Sequence, residues 1–315
     1  MITTHFGLLA AMVSSILVND ASAVSAGDAL LGAPARGAIA IIENGNSHNG
    51  VLLNGTALDN LAITGVRGHG VSAAGAAIEA SALFGRAAAP ALGSVWEAEL
   101  SSGATLPLRI DGVVTLPVQS AHARAYEVSY FTPEGAMPLC GLEGGRPIPA
   151  IAVPGVFDTR EGVPGGGSYA HDPARFTFAC RGKAIAKCVE LGYAPASGLP
   201  ADAPADDREG HFVACTRMIR ADYCGDGRSW TRDGTLINLY DGIGVQKDAG
   251  PWAVEAEWTE DGARCANEAR ATRLMVSRRP GTPECFAALR STSCGAASHF
   301  RNGTRLVSEM VGAGK

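Results

Sequence analysis

Period-two alternation dominates residues 95–131. In Val95–Leu100 the side chains of Trp96, Ala98 and Leu100 share one face, and Glu97 and Glu99 share the other. That is the pattern of a strand with one wet side. Leu106–Ile110 and Val113–Leu116 flank Asp111-Gly112, a dipeptide suited to the positive-φ positions of a two-residue hairpin turn. Tyr126, Val128 and Tyr130 alternate with polar or small neighbours. The four segments predict an antiparallel meander over 95–131.

The pattern changes further on. Residues 132–174 are rich in Pro and Gly, including Gly165-Gly166-Gly167, and predict a long irregular connection. Phe176, Phe178 and Cys180 alternate as a short strand. Gly182 to Gly192 then reads as a helix with Ile185, Cys188 and Val189 on one face. A second helix fits Phe212 to Ala221, with Phe212, Cys215, Met218 and Ile219 inward. Asp233-Gly234 and Asp241-Gly242 bracket a strand over Leu236–Tyr240. Trp252, Val254, Ala256 and Trp258 alternate with Glu255 and Glu257, so both indoles lie on one face and should anchor the core. The Arg-rich stretch 264–279 reads as a solvated helix or loop, and 284–290 as a last helix. The fold class this implies is α+β. An antiparallel β-rich N-terminal region precedes a small disulfide-rich α+β domain over 132–270, with two helices packed on short antiparallel strands and a tail over 271–315.

Upstream, Asn44-Gly45, Asn49-Gly50 and Asn54-Gly55 recur every five residues over 44–66, with Leu53, Leu58 and Ile63 in phase. About one coil of a pentapeptide repeat fits this spacing, and so does a loop of recurrent Asn-Gly turns. Either should lean on the domain behind it. Residues 24–43 read as an Ala/Gly/Ser linker. Residues 6–18 form an apolar run of signal-peptide length followed by Ala21-Ser22-Ala23, so 1–23 reads as a leader, although Met1 to His5 carries no Lys or Arg.

Composition narrows the function classes. Of 315 residues, 46% are hydrophobic and 18% charged, enough apolar material for a sizeable core. The net charge of −5 comes with no basic stripe, which argues against nucleic acid as a partner. No stretch after the leader is apolar enough to span a membrane. The eight cysteines (Cys140, Cys180, Cys188, Cys215, Cys224, Cys265, Cys285 and Cys294) include no CxxC and no zinc-ribbon spacing. With the leader, they read as four disulfides in a secreted, periplasmic or cell-surface protein. Nine helical residues rise about 13 Å, too far for Cys215 to reach Cys224 along one helix. The expected bridges therefore run between segments. The 180/188 pair links to the 215/224 pair, Cys140 joins Cys265, and Cys285 joins Cys294.

Two runs carry a resemblance. They are Phe178-Ala179-Cys180-Arg181-Gly182-Lys183-Ala184-Ile185-Ala186-Lys187-Cys188 and Ala214-Cys215-Thr216-Arg217-Met218-Ile219-Arg220-Ala221-Asp222-Tyr223-Cys224-Gly225-Asp226-Gly227. With Pro138-Leu139-Cys140-Gly141, Thr231-Arg232-Asp233-Gly234-Thr235 and the Trp252–Trp258 strand, they resemble the ADYC domain family over roughly 125–265. The tetrapeptide that names it stands at Ala221–Cys224. The resemblance implies an exported protein of the kind found mainly in myxobacteria. It implies no activity.

Candidate chemistry is sparse. Asp222, Asp226, Asp233 and Asp241 crowd one segment, but their spacing is not that of an EF-hand loop, and Asp222 with Arg217 or Arg220 reads as a structural ion pair. His211 and His171 have no Ser in G-x-S-x-G and no HExxH around them. The weak catalytic candidates are His211, Asp222, Asp226 and Asp233. No cofactor or metal is expected. Three readings follow: a non-catalytic extracellular structural or interaction module; an extracellular hydrolase using carboxylates or His around 211–241; and a module binding cell-wall glycan or another extracellular ligand, with Trp230 as the aromatic shelf. The partners these imply are an extracellular protein or a cell-surface glycan.

Overall fold

The computed structural model describes residues 38–43, 49–51, 53, 58, 61–84, 91–116, 123–195, 205–270, 281–291, 294–295 and 299–310. The expected leader and most of the Asn-Gly pentads lie outside them. The last six residues of the expected linker form a strand, β1 (Ala38–Glu43).

The α+β expectation is overturned: the chain is mostly β and is built around a closed antiparallel barrel. Its strands begin with β2 (Ile63–Val71), which also carries the short β3 (Ala77–Glu79). Next come β4 (Val95–Leu100), β5 (Thr105–Thr115) and β6 (Arg124–Thr132), with β7 (Gly135–Pro138) added at the side of β6. The small hairpin β8 (Leu142–Glu143) and β9 (Arg146–Pro147) leads to β10 (Ala150–Pro154). A second small pair, β11 (Val156–Phe157) and β12 (Tyr169–Ala170), precedes β13 (Arg175–Cys180). The pairings run β2–β4–β5–β6–β10–β13 and back to β2, all antiparallel, so six strands close on themselves. The meander and the downstream segment therefore share one barrel. The strand that closes it, β10, lies in the stretch whose Pro and Gly content suggested an irregular connection.

Alternation sets the barrel's interior. Trp96, Ala98 and Leu100 point in with Leu106, Leu108, Ile110, Tyr126, Val128, Tyr130, Phe176 and Phe178. Gly70 is required where β2 crosses Trp96, because a Cβ there would lie 2.7 Å from the indole. Apolar and aromatic side chains fill the barrel. Asp111-Gly112 is not a hairpin turn. The single strand β5 runs through it with a register shift between Ile110 and Gly112, and this bulge bends the strand around the barrel. Leu53, Leu58 and Ile63, the in-phase aliphatics of the pentads, pack against this core.

The remainder forms a second layer. Helix α1 (Ala184–Glu190) contacts β13, and helix α2 (Ala205–Arg220) contacts α1. On its other side α2 contacts a six-stranded sheet made of β1, β14 (Leu236–Asp241), β15 (Gln246–Lys247), β16 (Ala253–Thr259), β17 (Gly262–Ala266) and β18 (Leu306–Met310), in the order β15-β1-β14-β18-β16-β17. A one-turn helix, α3 (Phe286–Leu289), contacts β17. Phe212, Cys215, Met218 and Ile219 face a core shared with Ile237, Leu239, Ala256, Trp258 and Leu306 of the sheet and Ile151, Val153 and Ala179 on the barrel's outer wall.

Of the four disulfides, one lies in the barrel and three pin this layer. Cys140–Cys180 fixes the loop after β7 to β13, Cys188–Cys215 joins α1 to α2, Cys224–Cys285 joins the turn after α2 to the start of α3, and Cys265–Cys294 ties β17 to the C-terminal segment. The expected Cys140–Cys265 and Cys285–Cys294 bridges do not form, because Cys140 belongs to the barrel and Cys265 to the far sheet. The expected link between the 180/188 and 215/224 pairs exists as Cys188–Cys215 alone.

Candidate functional site

The segment after α2 holds most of the candidate residues, and its geometry follows from how the helix ends. Ala221 adopts φ +54°, the only positive φ of a non-glycine among the described residues. The Ala221 amide donates to the Met218 carbonyl (3.1 Å) and the Asp222 amide to the Arg217 carbonyl (2.9 Å). This double bond pattern is a Schellman cap, with Ala in the position Gly ordinarily takes.

The cap turns Asp222 into the protein. Its carboxylate accepts from Arg217 Nη1 (2.5 Å), from the Asp226 amide (3.1 Å) and from the Gly227 amide (3.0 Å). Burial pushes the Asp222 carboxyl above the ordinary Asp value, while Arg217 and Arg220 pull it down. Arg217 also donates to the Gly166 carbonyl, and Arg220 to the Gly227 carbonyl and to Glu161. Burial lowers the Arg220 guanidinium to about 10. These arginines dock the glycine-rich loop onto the turn. At Gly166 a Cβ would lie 2.4 Å from the Asp226 carbonyl oxygen, which is why the loop is bare there.

Tyr223 points the opposite way, under the sheet. Its ring packs on Trp258 and Phe286. Its hydroxyl donates to Glu255 Oε1 and accepts from the Arg270 amide (2.7 Å). Arg270 grips both Glu255 oxygens (2.9 and 2.8 Å) and donates to the carbonyls of Met218 and Ile219. Ser308 donates to Glu255 Oε2 and accepts from the Trp258 indole. Glu255 and Arg270 are wholly buried, so the pair survives only because each remaining hydrogen-bonding atom meets a partner. Alternation sets Glu255 and Glu257 on the face away from the two indoles, and the Arg-rich stretch reads as a solvated helix or loop. The structure buries both acids and Arg270. Glu257 accepts from the Gly295 amide and from Thr304.

The ADYC domain profile matches residues 89–272. The chain belongs to the ADYC domain family. In this member the four signature residues divide the work of one junction: Ala221 caps, Asp222 anchors the turn and glycine loop, Tyr223 plugs the sheet core, and Cys224 locks to Cys285. Comparison with curated proteins and with solved structures gives no match.

The other candidates do not converge with Asp222. His211 sits inside α2 rather than before it, nine residues or about 13 Å along the axis from the helix end at Arg220, beyond which lies the capped turn at Asp222. Its ring stacks on Tyr193, and Nδ1 lies 2.6 Å from the Asp207 carbonyl oxygen. Burial holds its pKa below 6.5. Asp226 accepts from the Arg228 amide and pairs with that side chain. Asp233 lies at the surface, 3.3 Å from Lys183 Nζ. Asp241 accepts from Tyr193 and from the amides of Ile243, Val245 and Gln246. Trp230, the expected shelf for sugar, is only 7% exposed and belongs to the core.

Two features escaped the sequence. One is the Glu255–Arg270 lock, hidden because a buried ion pair has the same composition as a wet surface. The other is a cleft of about 580 Å³ across α2, walled by the loop at Gly165–Tyr169, the β16–β17 turn at Glu260-Asp261, and Arg305. Among the described residues, Glu257, Cys265 and Cys294 bring potential metal ligands together, but the two sulfurs are bonded to each other. No helix among the described residues is long and apolar enough to cross a membrane.

Proposed function

We propose that the chain is an exported, non-catalytic interaction module in which the ADYC signature serves the fold. One observation carries this reading: each polar signature group is saturated from inside the protein. The Asp222 carboxylate receives three donors, and the Tyr223 hydroxyl both donates and accepts. A general acid or base needs an unoccupied position facing a substrate, and these groups turn inward. Four disulfides support export, since such bridges persist in oxidising compartments.

The test is the full chain produced in a bacterial host and recovered from periplasm or medium. Intact mass should show a chain beginning near Val24, with eight alkylatable sulfurs only after reduction. A full-length chain with free thiols contradicts export. Asp222→Asn should lower the melting temperature. If a screen of ester, glycoside and peptide substrates reveals turnover that this variant loses without any loss of stability, the non-catalytic reading fails.

A further inference from the structure

We propose that the cleft across α2 is the module's partner site and that it takes a lysine- or arginine-bearing segment of another extracellular protein. This rests on the interaction-module reading above. The cleft's volume, about 580 Å³, lies within the range of ligand sites, and that is ample for one long basic side chain and its flanking backbone. Its floor is α2, where Glu209, Gly210, Val213 and Arg217 fall on one face. Gly210 keeps the floor low, since a Cβ there would meet Arg305 Nε at 3.0 Å. Gly225 is equally constrained, because its Cβ would overlap the Asp261 carbonyl oxygen at 1.8 Å. Tyr169 supplies one apolar wall, its hydroxyl bonded to the Pro154 carbonyl.

The charge in the cleft is unbalanced in one direction. Both of its cations already have partners. Arg217 is held by Asp222 and by the carbonyls of Glu260 and Gly166. Arg305 is held by Asp207 at 2.6 Å and reaches Glu260 at 3.5 Å. Glu209 on the helix and Asp261 on the β16–β17 turn both line the cleft, and neither carboxylate meets a cation among the described residues. Burial, and secondly the nearby Glu209 charge, raise the pKa of the Tyr169 phenol. An ammonium or guanidinium in the cleft would meet acids from two elements, the helix floor and the β16–β17 turn, with Tyr169 and Val213 lining the space for its alkyl stem. Basic side chains bury their stems in this way while keeping the charged end solvated.

The experiment titrates the full, oxidised chain with two fluorescein-labelled peptides, Gly-Arg-Gly-Lys-Gly-Arg-Gly and its acidic counterpart Gly-Glu-Gly-Asp-Gly-Glu-Gly, by fluorescence anisotropy. The basic peptide should bind saturably and the acidic one should not. E209Q/D261N should weaken binding at least tenfold. E134Q/E143Q removes the same charge from exposed positions elsewhere and should leave binding unchanged. Intact disulfides and an unchanged melting temperature confirm that both variants fold. No saturable binding, preference for the acidic peptide, or equal weakening in the two double variants overturns the proposal. Peptide recovered cleaved after incubation overturns the non-catalytic reading instead, and leaves the cleft as a site for basic segments.

Discussion

The barrel and the layer packed against it solve the same problem by different means. The barrel interior is almost wholly apolar and aromatic, its strands leave no free edge around the ring, and the strands β4, β5 and β6 carry no cysteine. The helix-and-sheet layer is an open sheet that, among the described residues, ends at β15 and β17, and it has a buried ion pair at its centre. Three of the four disulfides lie wholly within it. A closed sheet satisfies its backbone and its core together. An open sheet covered by short helices needs further ties, and here they are covalent and ionic. Signature residues of the ADYC family fall in the second region because that is where side-chain identity, and not merely alternation, determines the structure.

The largest expected effect is at the buried ion pair. Arg270→Ala should cost about 3–5 kcal/mol, because Glu255 is left charged and unpaired in the core. Adding Glu255→Leu should restore part of that loss, as apolar replacement of a whole buried pair often does. Urea unfolding of both variants checks this, and a double variant no more stable than the single one would show that the pair's further bonds to Tyr223 and Ser308 matter more. Next, Cys188→Ala with Cys215→Ala should cost about 3 kcal/mol, the usual scale for a loop of such length. The loss should appear in the helices and leave the barrel's near-ultraviolet signal from Trp96 nearly unchanged.

A smaller effect depends on pH. His211 titrates below 6.5 in the folded protein because burial disfavours its charge. The unfolded chain therefore binds the proton first, and stability falls as pH drops below about 6.5. His211→Gln should flatten that slope in melts between pH 7 and pH 5. The smallest effect is at the cap. Ala221→Gly should stabilise by about 0.5–1 kcal/mol, because the left-handed position suits glycine.

Much of this was legible in the chain. Val95–Leu100 is a strand with the predicted bounds, Trp96, Ala98 and Leu100 face the core, and Phe212, Cys215, Met218 and Ile219 are the buried side of a helix. Alternation reports local geometry, and it failed where non-local pairing decided the outcome. Nothing local marks Ala150–Pro154 as the strand that closes a barrel. Asp111-Gly112 has the chemistry of a turn, yet cross-strand pairing with β6 draws it into a bulge. Glu255 and Glu257 occupy the outward positions of an amphipathic strand, and only Arg270 and Thr304, brought in from elsewhere, make them core residues. Asp222 was identified through its arginine, but the inward direction of Tyr223 depends on a cap that no residue pattern announced, since Ala stands where Gly would have signalled it.

Hydrogen exchange of the native protein before and after gentle reduction tests the central claim most directly. If the barrel holds itself while the layer depends on its ties, amides of β4, β5 and β6 should stay protected after reduction. Those of α1, α2, β16 and β17 should exchange at least tenfold faster. Loss of protection in both regions together would mean that the barrel leans on the disulfide-bonded layer, and the division drawn between them would be wrong.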